Sequence, residues 1–120
     1  MTIGEWLDTR TPSPPAELAV VLRGELGPAL ALDAALLGEE SLAAAERLLA
    51  RALATGCRER AQAVVLLAAD ALVTYAFEAA AEEPDKLGER AAAAVRRLSR
   101  LAVIVPPTAP SNGGAGRAAA

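Results

Sequence analysis

The chain has 120 residues, 53% of them hydrophobic but only 2% aromatic, with a net charge of −3 and no histidine. That length suits one domain and leaves no room for two independent cores, while the missing histidine excludes imidazole acids, bases and metal ligands and with them Ser-His and Cys-His catalysis. One cysteine, Cys57, excludes an intrachain disulfide or a cysteine-built metal site within one chain, and the acidic balance works against broad electrostatic capture of nucleic acid.

Residues 1–13 read as an extended arm with a short helical turn around Gly4-Glu5-Trp6-Leu7-Asp8. Acids stand where a secretory signal would carry positive charge, so no signal peptide is expected. Ser13-Pro14-Pro15-Ala16-Glu17 marks a helix start, because proline is tolerated in a first turn whose amides lack intrahelical acceptors. That helix is expected over 15–26, presenting Leu18, Val21, Leu22 and Leu26, and Gly27-Pro28 stops it. A second short helix is expected over 29–37 with Gly38 as its C-cap.

Over 41–54, Leu42, Ala45, Leu48, Leu49, Ala52 and Leu53 recur with helical period. Thr55-Gly56 breaks that pattern before the longest helix, expected over 58–82, whose apolar stripe is wide enough to contact several neighbours. Glu83-Pro84-Asp85 then separates a final helix over 86–104, with Leu87, Ala91, Ala94, Val95, Leu98, Leu101 and Ala102 expected in the core. Pro106-Pro107 ends it. The fold class is therefore all-α: a small antiparallel bundle of four to five helices without β-sheet over 14–105, its last three helices forming the stable centre. Residues 106–120, rich in Pro, Ser, Gly and Ala, read as a disordered tail.

The composition bears on assembly as well. The chain contains 31 alanines. Alanine has the highest helix propensity, but burying a methyl removes far less apolar surface than burying a leucine. Helices of this kind need very close approach or help from another subunit, although a GC-rich genome would raise alanine without functional reason.

Chemistry-bearing groups are sparse. Gly113-Gly114-Ala115-Gly116 lacks the strand, helix and Lys-Ser or Lys-Thr of a phosphate loop. Cys57, near Arg58 and Arg60, lacks a base to activate it. Three surfaces remain as candidates. The first is a protein interface made of Ile3, Trp6 and Leu7 on the arm, docking on another chain or on its own bundle, with Leu72, Tyr75 and Ala79 on the long helix. The second is a polar row, Asp70, Thr74, Glu78 and Glu82, which a ligand, a cation or a basic helix would fit, or which is simply a solvated stripe. The third is a basic face, Arg90, Arg96, Arg97 and Arg100, for which the negative end of the helix dipole is a sufficient structural reason.

These observations favour a non-enzymatic helical scaffold, adaptor or regulatory protein of the bacterial cytoplasm, self-associating as a dimer and contacting an unidentified protein. No cofactor and no metal are expected. No membrane span is expected either, because the apolar stretch 61–69 contains Gln62 and is followed by Asp70. A small ligand- or metal-binding helical module is one alternative and weak RNA binding another, with nucleic acid disfavoured by charge.

Overall fold

The computed structural model describes residues 1–55 and 60–104. Cys57 and the tail over 106–120 lie outside the described residues. Those described form five α-helices and no β-sheet: α1 (Ile3–Asp8), α2 (Ala16–Leu26), α3 (Leu37–Thr55), α4 (Arg60–Ala80) and α5 (Pro84–Ile104). They make a small antiparallel bundle in which α3 and α4 share the most extensive contact.

The segment expected as an arm is a capped helix fastened to the bundle. The Thr2 hydroxyl accepts from the Glu5 amide at 3.2 Å, and the Glu5 carboxylate accepts from the Thr2 amide at 2.7 Å. This reciprocal box satisfies two amides that so short a helix would otherwise leave open, and the Thr2 backbone and hydroxyl hydrogen bonds hold the Glu5 carboxyl below its ordinary pKa. An isolated antiparallel bridge joins Thr2 to Asp33. Through it the Ile3 amide donates to the Leu32 carbonyl and the Ala34 amide to the Met1 carbonyl, both at 2.9 Å. Gly4 permits close approach here, since a Cβ at that position would stand 3.3 Å from the Leu30 carbonyl oxygen.

Helix α2 follows Pro15, which occupies its N-cap position, and ends at Gly27, whose φ of +50° is the one positive φ among the described residues. No single helix follows over 29–37, contrary to expectation. Two 3-10 turns, Gly27–Ala31 and Ala34–Leu36, are separated by Leu32 and Asp33 in extended conformation. The Asp33 carboxylate accepts from the Ala35 amide at 2.8 Å and so starts a new turn instead of continuing the old one. Gly38, expected as a C-cap, lies inside the first turn of α3; helix α3 has already begun at Leu37, whose amide donates to the Ala34 carbonyl.

The core differs from expectation in one larger respect. Its central cluster draws Ile3, Trp6 and Leu7 from α1, Leu22 and Leu26 from α2, and Leu37, Leu48 and Leu72 from α3 and α4. Ala44, Ala45, Ala68 and Ala69 complete it, small residues that allow α3 and α4 to approach closely. No described side chain of α5 enters this cluster. Ala94 is the one buried hydrophobic among the helix's described side chains, and Val95, expected in the core, is 60% exposed. The N-terminal helix, not the C-terminal one, closes the centre: α1 sends three large side chains into it, whereas Leu87, Leu98 and Leu101 of α5 are only half-buried.

Candidate functional site

The six residues expected at a protein interface do come together, but within one chain. Ile3 and Leu72 are fully buried, and Trp6 and Leu7 nearly so, with Tyr75 and Ala79 packed against their cluster. The Trp6 and Tyr75 rings meet edge to face, with centroids 5.7 Å apart and planes at 79°. Arg10 lies over the indole, its guanidinium carbon 3.8 Å from the ring centroid. A cation over an aromatic face is attracted by the ring quadrupole. Arg10 also donates to Glu78 at 2.8 Å and to the Thr9 hydroxyl at 2.9 Å. Burial pushes the Tyr75 phenol pKa up, Glu78 adds to the rise, and Arg10 opposes it. The arm therefore docks on its own bundle, and Leu72 is interior.

Of the polar row, Asp70, Thr74 and Glu78 stay on one exposed stripe of α4. The Thr74 hydroxyl bonds back to the Asp70 carbonyl at 3.0 Å. Glu78 is taken by Arg10, and Glu82 lies past the end of α4, in the turn before α5. Among the described residues no group of three or more Cys, Asp or Glu is placed to hold a metal ion.

The basic face divides into two pairs. Arg90 bonds Glu83 at 2.7 Å, and Arg97 bonds Glu39 at 3.0 Å and also Glu46. Burial works to lower the Arg97 pKa, but the Glu46 and Glu39 carboxylates outweigh it and hold it raised. Lys86 joins Arg90 on Glu83 at 3.0 Å, and these hydrogen bonds lower the Glu83 pKa. Arg96 and Arg100 are exposed, with no carboxylate partner in the described structure.

Two features escaped the sequence reading. One is a cleft of about 520 Å³ among the start of α3, the end of α4 and α5, walled by Leu36, Leu42, Phe77 and Ala93 and rimmed by Glu82 and Arg90. Facing alanines leave this volume unfilled, which a count of apolar positions does not reveal. The other is the Glu25 cluster, in which the carboxylate accepts from Arg47 at 2.7 Å and from Arg51. Burial works to raise the Glu25 pKa, and the two arginines overcome it and leave it lowered. Thr2-Ile3-Gly4-Glu5 did carry a readable signal, the capping-box spacing of threonine and glutamate.

Helix α4 is long and apolar enough to cross a membrane by length and composition, with a mean hydropathy of 1.7 over its best window. In this fold it lies along α3 instead. Among the described residues it alone passes that test. No family model matches the chain, and no curated protein or solved structure matches it either.

Proposed function

We propose that this chain is a non-enzymatic helical module that acts in the cytoplasm by self-association and by contact with another protein. The observation behind this reading is the incomplete cover of α4. Only 22% of its most apolar window is buried, and Leu67 on it is 58% exposed. Leu53, near the end of α3, is a further large apolar side chain facing solvent. An apolar helix left open in one chain is the physical mark of a surface that another chain covers. The alanine-rich core works in the same direction, since each buried methyl contributes little transfer free energy.

Native mass measurement and sedimentation of the full chain test this, with Leu67→Glu as the comparison. The expected result is a dimer for the natural sequence and a monomer for the variant, with equal helix content by circular dichroism. A natural chain that remains monomeric up to about 1 mM, a concentration corresponding to roughly 4 kcal/mol of association, removes self-association from the reading.

A further inference from the structure

Helix α5 carries charges in an order that its own chain does not use. Asp85, Glu89, Arg96 and Arg100 are all exposed, and none has an ion-pair partner among the described residues. The other cations on the same helix, Lys86, Arg90 and Arg97, all do. Asp85 and Glu89 stand one helical turn apart with the same sign, and so do Arg96 and Arg100. Like charges at this spacing oppose helix formation. The helix dipole accounts for acids early and bases late, but it does not require each pair to share a turn.

The four charges also lie to one side of a stripe of small residues. At 3.6 residues per turn, Asp85, Arg96, Glu89 and Arg100 fall within about 60° of one another on one flank of Ala92. Gly88, Val95 and Ser99 fall on the other flank, and all of them are exposed. Small side chains allow helix axes to approach to about 8 Å. Antiparallel helices bring like flanks together.

We propose that α5 pairs antiparallel with α5 of a second copy of this chain, across a two-fold axis between Ala92 and Ala93. Asp85 then faces Arg100 of the second copy, and Glu89 faces its Arg96, on both halves of the axis. A parallel pair would set the charged flank against the partner's Gly88, Val95 and Ser99 and leave the charges unmatched, so the charge order selects orientation as well as partner. The proposal rests on the reading that the chain self-associates, and it adds α5 pairing to the contact through the open face of α4. The stripe over 85–100 is about 24 Å long at 1.5 Å per residue. Such a contact belongs with the smaller, weaker interfaces, and its exposed ion pairs make it sensitive to salt.

Two full-length charge variants test it. Asp85→Arg with Glu89→Arg makes the flank wholly basic, and Arg96→Glu with Arg100→Glu makes it wholly acidic. Each variant alone should be monomeric at a concentration where the natural chain is dimeric in low salt. An equimolar mixture should restore a dimer holding one copy of each, resolved by native mass because the variants differ in mass. Circular dichroism checks that each retains its helix content; should one lose it, Asp85→Asn with Glu89→Gln replaces it and should give a weakened dimer. Dimerisation of either charge-reversed variant alone to the natural extent overturns the proposal, as does a mixture that stays monomeric. If Leu67→Glu abolishes the dimer while both charge variants keep it, α5 pairing fails and self-association through α4 stands. A natural chain that is monomeric throughout overturns both.

Discussion

Helices α4 and α5 are each 21 residues long, yet the fold holds them by different means. Helix α4 sends Ala68, Ala69 and Leu72 into the central cluster, where the alanines of α3 and the large side chains of α1 meet them. Helix α5 packs on α3 and α4 outside that cluster and is tied to α3 by Arg97 with Glu39 and Glu46, while Lys86 and Arg90 pair locally with Glu83 in the turn before it. Exposed ion pairs of this kind stabilise by at most about 1 kcal/mol each, whereas burying one large aliphatic side chain contributes about 1.5–3 kcal/mol. An alanine-rich helix is secured by what it meets: facing leucine, tryptophan and close-packed alanine it becomes core, and facing more alanine it leaves a cleft.

Three perturbations bear on that contrast. The largest effect is expected from Trp6→Ala, which removes the ring that Tyr75 meets and leaves Arg10 without its aromatic platform. Urea unfolding should show a loss of about 3–5 kcal/mol. A loss below about 1 kcal/mol would place the α1 contact outside the stable centre. Leu98→Ala on α5 removes a half-buried side chain and should cost only about 1 kcal/mol. A cost equal to that of Trp6→Ala would erase the distinction between the two regions.

The smallest effect concerns Glu25, where Arg47 and Arg51 tie α2 to α3. A carboxylate with a lowered folded-state pKa adds stability above its unfolded value, and that share is lost as pH falls through the folded value. Glu25→Gln should therefore cost about 0.5 kcal/mol at neutral pH and flatten the decline of stability on acidification. Thermal unfolding of both chains across the acidic range checks this; parallel profiles would show that Glu25 contributes no pH-dependent stability.

Much of the secondary structure was readable one residue at a time. Proline at 14, 15 and 28, glycine at 27 and the helical period of 41–54 place the helices to within a few residues, because backbone restriction and amphipathic period are local properties. The boundary at 33 was legible in principle, since aspartate before a new turn is a capping signal, but apolar content around it suggested continuation. Pairing was not legible. Ile3, Trp6 and Leu7 form an apolar group that any complementary surface would cover, and nothing local says whether that surface belongs to the same chain.

The amino-acid order by itself determined an all-helical chain without imidazole chemistry, because propensity, breakers and residue type act at short range. Tertiary structure alone decided that α1 enters the core while α5 stays at its margin. It also decided that Arg90 and Arg97 are paired while Arg96 and Arg100 are not. Those outcomes depend on which side chains arrive from distant segments and how much volume they fill, and a chain so rich in alanine leaves its own helical pattern nearly silent on both.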